Sequence, residues 1–272
     1  MNVLIAIAAM AGTVAGMLLF GAAILHLIPR MGGMGRRVSA ALCHAPALDW
    51  VVVYFIVLPL IAGPVIAGWR GLVGAIVGQV AGVLIWTALH ELAHRRDVRG
   101  PRIVRVLNRV IGPWRNHAAL WLTAIVTPGF CLVRLAELLL YPPIRWLTGF
   151  PGYPQAEWVN VSRHKFNGLV GHDLIWCLYC DWMTGVWSLG SEMLRNVESF
   201  WCPIRFDSAK KCENCSVDFP DVNHGWVPAD GNMAQVAQVL EESHAGGTHA
   251  WFGHPVRLTV RGKEIRPQTP DH

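Results

Sequence analysis

Apolar residues run from position 3 to 28 without a formal charge, a length that a helix needs to cross about 30 Å of hydrocarbon. The run is too long for a signal-peptide core and no Lys or Arg precedes it, so it predicts a retained membrane helix. Two further runs, 49 to 69 and 71 to 89, are separated by Trp69-Arg70-Gly71, and so short a connection predicts an antiparallel helix pair. Residues 102 to 109 place Arg102, Arg105 and Arg109 near one helical face and aliphatic residues on another, the pattern of a helix lying on an anionic lipid surface.

The apolar segment 117 to 141 is broken at Thr127-Pro128-Gly129, and Arg134 and Glu137 stand three apart, where they could pair. It either crosses as a fourth helix or enters and returns as a broken hairpin; we favour the hairpin, which keeps the rest of the chain on the cytoplasmic side. From about 142 the pattern turns polar, tryptophan-rich and broken by Pro142, Pro143, Pro151 and Pro154, which divides the chain into a membrane domain, 1–142, and a soluble domain, 143–272. In the second domain Ser191 is expected to cap a helix with Met193, Leu194, Val197 and Trp201 on one stripe, and Asp230 one with Met233, Val236, Val239 and Leu240. Arg257 to Arg261 alternates with period two and reads as a strand. The expected fold is therefore a polytopic helical membrane protein, three full helices and a broken fourth segment, with a C-terminal α+β domain.

Composition sharpens this reading. Of the 272 residues 53% are hydrophobic and 15% charged, and the mean hydropathy of +0.36 lies above that of soluble chains. Arg30, Arg36 and Arg37 follow the first helix and a run of arginines from Arg95 to Arg115 follows the third, against Arg70 alone between the second and third. The positive-inside rule then puts both loops in the cytoplasm, as in a bacterial-type inner membrane, with the N-terminus outside. The net charge of +5 is thus a topology signal with membrane lipid as the partner, and nucleic acid is not implied.

Against this background His90-Glu91-Leu92-Ala93-His94 stands out, because imidazoles at i and i+4 share a helical face with a carboxylate beside them. On the expected topology His26, His44 and His117 lie on the same side, and with the hairpin so do His164 and His172. The string His90 to Asp97 resembles the first histidine box of the membrane alkane hydroxylases, within the wider group of membrane fatty acid hydroxylases and desaturases. Arg115-Asn116-His117 and the stretch from Arg163-His164 to His172-Asp173 are loose counterparts of later boxes. The resemblance implies iron that activates dioxygen, an electron donor protein and a lipid-soluble substrate, with His90, His94, His117, His164 and His172 as metal ligands. The same five residues also resemble the zinc metalloprotease string, in which Glu91 would be the catalytic general base. A third reading is a membrane scaffold without catalysis.

The second constellation is Cys177-Leu178-Tyr179-Cys180 and Cys212-Glu213-Asn214-Cys215, two knuckles 31 residues apart. Four thiolates so spaced can close a tetrahedral shell around zinc, or around a rubredoxin-like iron that passes electrons. Trp176, Trp182, Trp187 and Trp201 are expected to anchor the second domain against the bilayer.

Overall fold

In the computed structural model the chain is described for residues 2–150, 152–208, 211, 226–244, 259–260 and 263–264, and these residues are predominantly helical. Three stretches are long and apolar enough to cross a membrane: Val3–Arg30, Ala47–Ala93 and Pro113–Thr148. The chain forms two compact units, one of residues 1–131 and 155–186, the other of 132–154 and 187–272. The units interleave along the chain, because segments distant in sequence pack together within each.

In the first unit α1 (Val3–Leu27) opens the chain, α2 (Gly32–Leu42) follows, and α3 (Ala47–Val52) leads through a π turn at Val53–Val57 into α4 (Leu58–Ala93). α4 is two helices. Ala67 and Gly68 leave helical geometry, Gly68 at φ +58, and the chain doubles back. A Cβ on Gly63 would sit 2.5 Å from the Gly71 carbonyl oxygen, and Gln79 Nε2 donates to the carbonyls of Phe55 (3.0 Å) and Ile56 (2.9 Å) on the facing leg. The antiparallel pair read from Trp69-Arg70-Gly71 is present, its turn two residues earlier, at the glycine that can adopt positive φ.

The returning leg lies along α1. Gly74, Gly78 and Gly82 recur every fourth residue, and a Cβ on Gly78 would meet the Ala11 carbonyl and the Val14 Cβ at 2.7 Å each. This small-residue stripe lets two backbones approach where lipid supplies no hydrophobic drive for helices to associate. Buried side chains along the seam are small or compact, Val14, Leu18 and Ala75, while Leu4, Phe20, Ile61, Val65 and Ile66 face outward, more than half exposed. That polarity, small inside and large apolar outside, is the signature of lipid-facing helices.

Beyond α4 come α5 (Arg95–Arg99), α6 (Ile103–Ile111), α7 (Pro113–Ala124), α8 (Thr127–Leu139), α9 (Tyr141–Thr148), α10 (Gln155–Trp158) and α11 (Gly171–Trp201). The expected break near Thr127 exists, but the hairpin does not. Rings of His117 and His172 meet at 5.1 Å and those of Trp121 and Trp176 at 5.2 Å; further on, Thr127 Oγ1 meets Tyr179 Oη at 2.9 Å and Phe130 packs on Trp182 at 6.3 Å. Partners ascend together, so 117–130 runs on in one direction beside the first turns of α11. α7 ends at Ala124 and α8 restarts at Thr127, with Pro128 in its first turn, where Pro is tolerated.

In the second unit Arg134 and Glu137 form the expected pair, 2.8 Å apart and buried. Asn196, fully buried, donates to Tyr141 Oη at 2.9 Å and to Tyr153 Oη. Ser191 caps nothing, because α11 runs unbroken through it and its apolar positions continue one long stripe. The helix near the end, α12 (Met233–His244), is capped two residues later than Asp230: Asn232 Oδ1 accepts from the N–H groups of Ala234 (3.0 Å) and Gln235 (3.2 Å). Extended pairing among the described residues here is limited to β1 (Thr259–Val260) with β2 (Lys263–Glu264) and a single bridge between Ile204 and Val227. The described part of 143–272 is thus mostly helical; β1 falls within the stretch read as a strand, 257–261, but an α+β domain is not supported.

Candidate functional site

The site is built in the first unit, where the last turns of α4, the start of α6 and the start of α11 meet. α4 ends at Ala93 because His94 leaves helical geometry, so His90 and Glu91 occupy its final turn. Gly171 begins α11 at φ +53, and a Cβ there would lie 2.1 Å from Glu91 Cγ. Only glycine allows that helix to start against α4.

Two backbone donors of the α11 N-terminus are satisfied by α4. Gly171 N–H donates to His90 Nδ1 at 3.1 Å and His172 N–H to Glu91 Oε1 at 3.0 Å. Glu91 therefore acts as a cap supplied from another helix, favoured by the partial positive charge at a helix start. Arg102 Nη2 donates to the same Glu91 Oε1 at 2.8 Å and to the Val170 carbonyl at 3.2 Å, while its Nε donates to Asp173 Oδ2 at 2.7 Å. Asp173 in turn caps α6, accepting from Ile103 N–H and Val104 N–H at 3.1 Å each. Arg102 and Asp173 side chains are each 4% exposed. Burial opposes ionisation of Asp173, but His172, the Arg102 guanidinium and the Val104 N–H hold its pKa down to about 2. Burial likewise opposes the charge on Arg102, and its two carboxylate partners more than restore it, so its pKa lies above the ordinary value. The expectation that Arg102 faces anionic lipid is corrected here: its partners are carboxylates of the same chain.

The imidazoles form a second layer. His90 and His94 rings stack at 4.2 Å with 18° between planes, His26 joins at 5.5 Å from His90, and Trp86 closes the group at 4.8 Å from His90. His94 Nδ1 donates to the His90 carbonyl at 2.9 Å. His90 Nδ1 is occupied by Gly171 N–H, which leaves Nε2 of both rings as the metal-facing candidates. Stacked planes do not direct those nitrogens to one point, whereas ligands of a shared zinc each lie about 2 Å from it. His117 and His172 form a separate pair. His164 lies apart on the surface, its Nε2 3.9 Å from Cys43 Sγ. Among the described residues no group of three His, Cys, Asp or Glu is arranged to hold a metal ion.

Cys177 and Cys180 are free, half-buried thiols on α11, and burial pushes the Cys177 thiol up. Together with His172 and Asn116 they edge a small cavity of about 110 Å³ whose walls are Ile103, Leu107 and Leu120. Cys212 and Cys215 lie outside the described residues. Arg102 and Asp173 are the residues that sequence reading missed. Their only local signal is position, Arg102 just before one helix and Asp173 in the first turn of another.

No family model, curated protein or solved structure matches the chain. The class that the fold itself defines is a mostly helical protein with helices long and apolar enough to span a membrane.

Proposed function

We propose that this is an integral membrane scaffold that holds α11, with Cys177 and Cys180 on it, in fixed register at the membrane surface. The observation that carries the reading is the Glu91–Arg102–Asp173 network: the carboxylate of the His-Glu-x-x-His string is committed to Arg102 and to the α11 N-terminus. A buried ion pair adds little net stability compared with an apolar replacement, and fixing register is its best attested use. The arginine-rich end of the bundle faces the cytoplasm and the N-terminus lies outside. The parallel run of 117–130 beside α11, which carries Asp173 and Asp181, supports a position outside the hydrocarbon for both, since carboxylates are costly there. The sequence spacing of Cys177, Cys180, Cys212 and Cys215 keeps structural zinc as part of this reading.

A second reading is a metal-dependent oxidoreductase with iron or zinc at the histidines, a lipid-soluble substrate and an electron donor protein. Its supporting observation is the packing of His26 with His90 and His94, which adds an imidazole to the pair. The metalloprotease alternative is weaker, because Glu91 as general base would have to leave Arg102.

Elemental analysis of the detergent-purified chain separates these readings. The scaffold predicts zinc that is lost in Cys212→Ser with Cys215→Ser and retained in His90→Ala with His94→Ala. Iron that disappears only from the histidine variant overturns the scaffold in favour of oxygen chemistry. Zinc that disappears only there favours the protease.

A further inference from the structure

Where the chain leaves α1, a cleft of about 180 Å³ is lined by Pro29, Arg36, Cys43, His44, His164 and Lys165. Arg36 comes from α2 and His44 from the turn after it; His164 and Lys165 come from a short turn, Arg163–Lys165, some 120 residues later. Backbone pairing holds the two segments together: Ala45 N–H donates to the Val159 carbonyl and Val161 N–H to the Cys43 carbonyl, both at 2.9 Å. The grouping of basic side chains is therefore fixed by the fold and is not a chance meeting of mobile lysines and arginines.

None of the residues lining the cleft is acidic. The carboxylate nearby, Asp181, already accepts from the N–H groups of Ser162 (2.6 Å) and Arg163 (3.1 Å), and so shapes the turn that presents His164 and Lys165. Burial, then Lys165 and His44, hold the His164 imidazole below its usual range, against the pull of Asp181. Basic groups gathered in one cleft repel one another unless an anion joins them.

The surroundings indicate which anion. Met31 and Met34 beside Arg36, and Phe166 beside Lys165, are each more than 70% exposed. α2 directly follows a helix of membrane-spanning length. Large apolar side chains around a basic cleft at the level of a helix end match an amphiphile with a charged head and a hydrocarbon tail. We propose that this cleft binds the phosphate of an anionic phospholipid, with Arg36 and Lys165 as the charge-bearing contacts and His44 and His164 as further donors. The assignment is independent of the Glu91–Arg102–Asp173 network.

The test is retention of phosphatidylglycerol against phosphatidylcholine by the full-length chain in detergent, read by native mass spectrometry, with inorganic phosphate as a third arm. Arg36→Ala with Lys165→Ala removes two charges from the cleft, and Arg37→Ala with Arg115→Ala removes two from residues that do not line it. The site variant is expected to lose phosphatidylglycerol retention roughly tenfold or more, down to the phosphatidylcholine level, while the control variant keeps it. Arg36→Lys should retain most of the binding, which excludes misfolding as the cause. Equal losses in both double variants, or none in the site variant, overturn the proposal. Site-dependent binding of inorganic phosphate without retention of phosphatidylglycerol overturns the lipid assignment.

Discussion

Arg102 Nε lies 2.7 Å from Oδ2 of Asp173, a residue 71 positions further along the chain, and this contact joins the start of α6 to the start of α11. The same guanidinium reaches Glu91 at the end of α4. One side chain thus ties together three helix ends that share no sequence neighbourhood.

Removing the hub leaves two carboxylates without their cation. Arg102→Ala is expected to destabilise the detergent-solubilised chain by about 3–5 kcal/mol, the cost typical of breaking a buried pair from one side. Thermal unfolding followed by circular dichroism measures it. A midpoint within one degree of the parent would show that the network is dispensable.

Asp173 also sets a pH dependence. Its folded pKa of about 2 lies below the ordinary carboxylate value, so between pH 4 and 2 the unfolded chain binds more protons than the folded one. The stabilisation is fully present above pH 4 and is lost as pH falls towards 2, by about 2 kcal/mol in total. Unfolding midpoints across this window should fall more steeply for the parent than for Asp173→Asn, and parallel slopes would contradict the assignment.

The glycine stripe gives a position-specific expectation. Gly78→Ala forces a methyl to within 2.7 Å of the Ala11 carbonyl and Val14 Cβ, whereas at Gly12 nothing lies within 4 Å of the added atom. The first change is expected to cost about 1–3 kcal/mol through overpacking, and Gly12→Ala should be neutral or slightly stabilising through helix propensity. Paired melts in one detergent decide it; equal effects would mean that the α1–α4 seam is not tight at Gly78.

In the second unit Asn196→Ala removes a donor to two phenols, Tyr141 and Tyr153. Leaving buried polar groups unpaired costs about 1–3 kcal/mol. The loss should appear as faster amide exchange along 187–201, and unchanged exchange would place the phenols in contact with water instead.

Much of the membrane architecture was legible. Apolar run lengths and the near absence of charge located α1 and both legs of α4, and three-residue spacing identified the Arg134–Glu137 pair. Such signals are local: hydrophobic length and i, i+3 or i, i+4 geometry depend on residues within a few turns. The break near Pro128 was legible for the same reason, but whether the chain reverses there depends on which helix it packs against, and the partners Trp176, Tyr179 and Trp182 lie about 50 residues away.

What the sequence determined by itself was the apolar stretches that become α1 and both legs of α4, and that the His90–His94 pair shares a helical face. The tertiary structure alone decided the company those residues keep: that Arg102 turns inward to two carboxylates, that Glu91 caps a helix starting 80 residues later, and that His164 sits with Cys43 rather than with His172. Buried charge is tolerable only with its partners in place, and those partners are set by how helices pack, a property that no stretch of a few residues contains.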